Sequence, residues 1–421
     1  MIIKNAKLIV RDNETKVSDI LIDKGKIVKI SENILDYDTE IIDAKENLTI
    51  PGGVEVHIHL RQPGYEKKET IKTGTMAAAR GGYTTVMPMP NLNPHPDNEE
   101  DLEKYFELIK KNAVVNVFPY SCITKESKGL ELVDMEMINK KFNINHFSDD
   151  GVGVSQYEMM KKAMKKAKTI NSLIVAHTED MSYIKPGASV HLGKIAEANG
   201  WVGIPSEAEY KQIERDLEIA KETKAKYHIC HISAKESVNA LRKAKLEGVD
   251  ASGEVTIHHL LLTEDDVLNT NFKMNPPLRT KRDREALIEA LIDGTIDFLA
   301  NDHAPHTEEE KDREMEKAPF GITNIECAIP LFYTNFVKNG RITLEQFVDL
   351  ISKKPALRFG LENKGQIKEG YDADIVILND EKEIIRKEKF ISKGKNTPFD
   401  EYEVYGNPAY TICKGKLVWS K

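Results

Sequence analysis

The sequence predicts an α/β fold: a TIM-type (β/α)8 barrel with a small composite β-sandwich domain drawn from both termini. Three observations carry this expectation. Eight short apolar runs, at 54–58, 84–89, 114–119, 145–148, 173–176, 227–230, 249–255 and 296–300, read as strands, and eight is the number that closes such a barrel. Segments with apolar residues at helical spacing lie between them. Both chain ends show strand-like alternation, and neither half-sheet alone buries enough to be stable.

Taken in order, residues 1–50 carry Leu8-Ile9-Val10, then Ile20-Leu21-Ile22, a Lys24-Gly25-Lys26 turn and Ile27-Val28-Lys29-Ile30. The other end answers with a strand from Ala373 to Leu378 and a hairpin around Lys414-Gly415-Lys416. The expected domains are 1–50 plus 365–421 as the composite β unit and 51–364 as the barrel. Ser155-x-x-Glu158, Ser206-x-x-Glu209 and Ser233-x-x-Glu236 read as capping boxes that start helices. Stretches 161–168 and 207–226 have the polar and apolar faces of barrel-covering helices.

Composition narrows the class. The chain has 421 residues, 40% apolar and 30% charged, which suits a globular protein of barrel size. A net charge of −8 argues against a nucleic-acid or anionic-membrane partner. No apolar run approaches a membrane span, and MIIKNAKLIV lacks a signal peptide's apolar core, so a cytoplasmic location is expected. Cys122, Cys230, Cys327 and Cys413 lie far apart and read as reduced core thiols.

The chemistry centres on 51–64, PGGVEVHIHLRQPG. Side chains alternate along a strand, so His57 and His59 point the same way and can grip one metal ion. Arg61 shares their parity and sets a cation beside them for an anionic substrate. Active sites of such barrels lie at the C-terminal strand ends. There the sequence places Asn91 after the second strand and Asp149-Asp150 after the fourth. His177 follows the fifth, His231 the sixth and Asp302 the eighth. Neutral imidazole and carboxylate suit zinc. Four histidines and two aspartates exceed the needs of one catalytic zinc and suit two sharing a bridging carboxylate. Each residue alone has a plain reading, such as a helix N-cap for Asp302; their recurrence at one rim favours a site. Asp302 is the natural general base.

Of Asp149 and Asp150, one is expected to bridge metals and the other to hold a backbone N–H in the turn before Gly151. His228 is expected to face away from His231, among core or helix. His258 and His259 read as loop or supporting residues, and His95, His146 and His191 as structural. Arg61, Asn91, Asn275 and His306 offer hydrogen bonds to a small anionic, amide-rich substrate. The run from Glu308 to Arg313 reads as solvated surface.

Nearly the whole chain resembles the class I, bacterial-type dihydroorotases of the amidohydrolase superfamily. The carrying motifs are the 51–64 stretch, GGYTTVMPMPNLNP (81–94), FSDDGVGV (147–154), AHTED (176–180), HICHIS (228–233), KMNPPLR (273–279), DGTIDFLANDHAPHTEEEK (293–311), APFGI (318–322) and KGKNTPF (393–399). The resemblance implies zinc-dependent, reversible cyclisation of N-carbamoyl-L-aspartate to L-dihydroorotate in pyrimidine biosynthesis. By motif, His57 and His59 hold one zinc and His177 and His231 the other. Asp150 bridges them, and Asp302 is ligand and base. His59, Arg61, Asn91, Asn275, His306, Phe320 and Gly321 contact substrate. The charged loop 303–319 then becomes a lid or substrate loop. A homodimer and an association with aspartate carbamoyltransferase are left open. Glu55 stands where the family usually has Asp, and Asn324 where it has glycine. The rival cyclic amidases, namely hydantoinase, dihydropyrimidinase and allantoinase, are expected to carry a bridging lysine on strand four, which FSDD lacks. A non-catalytic scaffold homologue is expected to lose ligands, and all six candidates stand.

Overall fold

The computed structural model describes residues 1–35 and 39–421, so residues 36–38 of the expected terminal β unit lie outside the described residues. Each of the eight anticipated strand segments holds a strand. They are β1 (Gly53–Ile58), β2 (Tyr83–Pro88), β3 (Asn116–Val117), β4 (His146–Phe147), β5 (Leu173–Ala176), β6 (Lys226–Ile229), β7 (Ala251–Thr256) and β8 (Phe298–Ala300). Neighbours pair in parallel from β1 to β3 and from β4 to β8. Single bridges, Ser121 to Phe147 and Ile58 to His303, join the remaining seams and close the barrel.

Alternation along the strands sorts side chains into two layers. Val54, Val56, Met87, Leu173, Val175, Cys230 and Phe298 form the inner cluster with Ala356 and Phe359. Ile58, Val86, Phe147, Ile174, Tyr227, Ile229 and Leu299 belong to the outer core with the helices. Fully burying one such side chain contributes roughly 1.5–3 kcal/mol. His228 lies in the inner layer, stacked on Phe298 at 5.2 Å between ring centroids.

The helices at 157–169 and 207–223 begin close to where the sequence places them, but none of the three serine capping boxes forms. The helices Tyr157–Thr169, Glu207–Thr223 and Lys235–Leu246 have no side-chain cap bond at their N-caps. At Ser206 and Ser233 the reason is a buried ion network, in which Arg279 also donates to Ser206 Oγ at 3.2 Å. Glu209 accepts from Ser233 N and Ala234 N, both at 3.0 Å, and from Ser237 Oγ at 2.6 Å. Arg279 donates to Glu209 at 3.2 Å and to Ser233 Oγ at 2.7 Å. A distant carboxylate thus caps the helix that Ser233 was expected to start. Complete capping boxes form instead on threonines, at Thr70, Thr280, Thr307 and Thr343.

The two chain ends share one eight-stranded sheet. Ile375–Asn379 pairs antiparallel with Leu48–Pro51 on one side and with Asn407–Cys413 on the other. Lys26, in the edge strand Lys26–Ser31, bridges to Asp372 just before the inner strand Ile375–Asn379, so the edge folds back over the sheet around Ile3, Ile20, Ile22, Ile375, Ile377 and Ile412. This is the β-sandwich-type companion of the barrel. Leu48–Pro51 runs directly into β1, and Gly52 N donates to Asp374 O at 2.9 Å, so the small unit grips the strand that carries the histidines.

Candidate metal centre

Six side chains from five strand ends meet at one mouth of the barrel. Register breaks between Glu55 and Ile58. The Glu55 carboxylate turns onto the backbone, accepting from His57 N at 2.7 Å and from Asn301 N at 3.1 Å. It therefore pins the end of β1 to the end of β8. Beyond the break, His57 Nε2 lies 3.4 Å from Asp150 Oδ1 and 3.5 Å from Asp302 Oδ1. His59 Nε2 lies 2.9 Å from Asp302 Oδ1 and 3.6 Å from Asp150 Oδ2. Across from them, His177 Nδ1 is 3.0 Å from His231 Nε2 and 3.7 Å from Asp150 Oδ1. Asp150 thus sits between the two histidine pairs. Arg61, His231 and Asp302 have positive φ, a strained backbone for side chains that must converge.

His57 Nε2 and Asp150 Oδ1 are buried with no hydrogen-bond partner. Donor atoms of His57, His59 and Asp302 lie within 4.8 Å of one another, as do those of His57, Asp150 and His231. Buried imidazole nitrogens and carboxylate oxygens so arranged fit a divalent cation. Burial alone raises a carboxyl pKa, yet His57 and its neighbours hold Asp150 and Asp302 well below the usual carboxylate range. Burial, then the charges of His177 and His57, push His231 down to about 4.

The cavity at this mouth, about 210 Å³, is lined by His59, Arg61, Asn91, Asp150, His177, His231, Asn275, Asp302, His306, Phe320 and Gly321. Among the expected site residues, only His57 lies below its surface. Asn91 is bracketed by the centre, 2.9 Å from His59 Nδ1 and donating to Asp150 Oδ2 at 3.3 Å. Arg61 Nη2 is 3.3 Å from His306 Nε2, which lies 2.8 Å from Phe320 O. Gly321 N donates to Lys273 O at 3.0 Å, so that N–H is spent within the protein.

Asp149 points away from the centre. Its carboxylate accepts from Ile123 N at 2.8 Å and Thr124 N at 3.1 Å. It holds backbone, as expected, but that of the β3–β4 connection rather than the turn before Gly151. His258 and His259 lie in a short helix, Ile257–Leu261, not a loop.

Two carboxylates in the site escaped the sequence reading. Glu254, on β7, lies 2.7 Å from His57 Nδ1 and 2.9 Å from His228 Nε2, and accepts from His231 N at 3.2 Å. Glu179 takes Asn275 Nδ2 at 3.0 Å and faces His177 Nε2 at 3.5 Å. The signal for Glu254 was a lone acid within a strand buried on both faces.

A closed parallel barrel with histidine and aspartate donors at its C-terminal mouth, joined to a composite β-sandwich, is the architecture of an amidohydrolase. Residues 334–419 match a family model described as amidohydrolase family, and residues 46–237 one described as dihydro-orotase-like. Proteins named dihydroorotase from Bacillus cytotoxicus and Bacillus cereus are each 49% identical over 421 residues, covering 99% of this chain and 98% of theirs. The chain belongs to the dihydroorotase family. Among solved structures, L-hydantoinase (dihydropyrimidinase) from Arthrobacter aurescens superposes with a TM-score of 0.89 at 27% identity, covering 100% of this chain and 96% of that one. Dihydropyrimidinase from Brevibacillus agri gives 0.87 at 25% identity, covering 100% and 95%. Among the described residues, no helix is long and apolar enough to cross a membrane.

Proposed function

We propose that this mouth holds two zinc ions and runs the dihydroorotase reaction of pyrimidine biosynthesis, the reversible closure of N-carbamoyl-L-aspartate to L-dihydroorotate. His57 and His59 would hold one ion and His177 and His231 the other, with Asp150 between them and Asp302 beside the first. Ions held there would supply Lewis acidity, polarising an amide carbonyl and lowering the pKa of a bound water. The observation that carries the reading is the meeting of two histidine pairs around Asp150, with His57 Nε2 and Asp150 Oδ1 buried and unpaired.

In ring opening, Asp302 accepts the proton of the attacking water and returns it to the leaving amide nitrogen; closure is the reverse. Arg61, Asn91, Asn275 and His306 hold the substrate's carboxylate and amide groups, with Phe320 and Gly321 as the facing wall. Arg61 supplies the charge-assisted contact and the asparagines set orientation. The barrel at 51–364 carries the chemistry, and the composite unit, 1–50 plus 365–421, supports β1. Catalysis needs no nucleic acid or membrane partner; we place the enzyme in the cytoplasm. Sedimentation with and without aspartate carbamoyltransferase tests homodimerisation and association.

The test is Asp302→Asn. The variant keeps its fold and its metal content, measured by elemental analysis, and loses about 10²–10⁴-fold in turnover of both substrates. Turnover near that of the wild type contradicts the role of Asp302.

A further inference from the structure

Within the acidic run after β8, one side chain is buried. Lys311 is 4% exposed, although Glu309 and Asp312 beside it are exposed. Its Nζ donates to three backbone carbonyls: Pro319 and Gly321, each at 3.0 Å, and Lys273 at 3.3 Å. Those carbonyls belong to two loops that meet at the cavity. One carries Lys273 and, two residues on, Asn275; the other carries Phe320 and Gly321. Gly321 N closes the junction by donating to Lys273 O at 3.0 Å.

A second lysine locks the same seam. Lys273 is 2% exposed, and its Nζ donates to Met315 O at 2.6 Å while lying 4.4 Å from the centre of the Phe320 ring. Two buried lysine side chains therefore tie the Asn275 loop to the Phe320 loop from behind. Burying them is costly. Burial, then the charge of Lys273, pulls Lys311 down to about 7, and burial pulls Lys273 down to about 8. A hold that costs this much within a substrate wall points to a need for fixed geometry. The wall has little slack, because Gly321 has φ +128° and a Cβ there would meet Ala304 at 2.7 Å.

We propose that Lys311 is a positioning residue that sets substrate affinity, by fixing the Phe320–Gly321 wall against the loop bearing Asn275. It does not touch the reacting atoms. The inference rests on the reading of this cavity as the substrate site.

The experiment compares steady-state kinetics of metal-loaded wild type, Lys311→Met and Lys311→Arg in both reaction directions, with metal content measured alongside. Lys311→Met removes the charge and all three donors but keeps the stem. It is expected to keep the wild-type metal content and to raise KM about fivefold or more, with kcat within about twofold, the pattern of lost binding. Lys311→Arg, which keeps charge and donors, is expected to recover most of the loss. An unchanged KM, or a fall in kcat alone, overturns the proposal. Should Lys311→Met fail to fold, Lys273→Met poses the same question by releasing Met315 and Phe320: a raised KM supports the shared latch and an unchanged one overturns it. Metal-loaded wild type that turns over neither substrate defeats the functional reading instead, so the two failures are distinguishable.

Discussion

The two oxygens of Glu254 hold two buried histidines in fixed orientations, His57 on Oε1 and His228 on Oε2. Against its burial, the charge of His57 pulls Glu254 down to about 2. A ring that gives Nδ1–H to this carboxylate presents Nε2 to Asp150 and Asp302, which is how a supporting carboxylate tunes a metal ligand. Glu254→Gln removes the charge and keeps the shape. We expect its metal affinity to fall about 10–100-fold, read by competition with a chelator; unchanged affinity contradicts the orienting role. The histidines themselves were legible because His57-x-His59 and the strand-end His177 and His231 share a position in the barrel repeat. Glu254 was not, because its partners come from β1 and β6, and sequence spacing carries no distance between strands.

At the scale of elements, strands were more legible than helix starts. A buried strand advertises itself by its apolar run, and the eight runs sufficed to anticipate β1 to β8. A cap is decided by which acceptor reaches the free N–H groups first. At Ser233 the winner is Glu209, from another helix and paired to Arg279. Despite its burial, Arg279 and the nearby serines draw Glu209 down to about 2, below its unfolded value near 4.3. The unfolded chain therefore binds the extra proton first, so this stabilisation is full above about pH 4.5 and fades as pH falls towards 2. Glu209→Gln leaves Arg279 buried without its counter-ion, at a cost of about 3–5 kcal/mol at pH 7 in urea unfolding. The gap between variant and wild type is expected to narrow between pH 4.5 and 3; a constant gap contradicts the ion pair as its source.

At the scale of the molecule, the small β unit and the barrel are expected to unfold together. Leu48–Pro51 is a strand of one and leads into a strand of the other. Buried Asp374 takes both Lys364 and the barrel's Asn116, at 2.7 and 2.9 Å. Trp201 lies in the barrel's β5–β6 connection and Trp419 in the terminal sheet, and they are the chain's two tryptophans. Trp201→Phe and Trp419→Phe each leave one fluorescent reporter. Their urea midpoints are expected to coincide, as for a single cooperative unit; separate midpoints contradict the coupling. The pairing of the chain ends could be anticipated because two half-sheets need each other, whereas the Asp374 tie, made of long-range polar contacts, left no pattern to read.

All of this turns on whether the histidine and aspartate donors bind metal together. An anomalous-difference map at the zinc edge, from crystals of the zinc-loaded protein, addresses that most directly. Two peaks flanking the Asp150 carboxylate are expected, one in bonding contact with His57 and His59 and the other with His177 and His231. A barrel mouth without peaks, or with a single peak that leaves His177 and His231 uncoordinated, contradicts it.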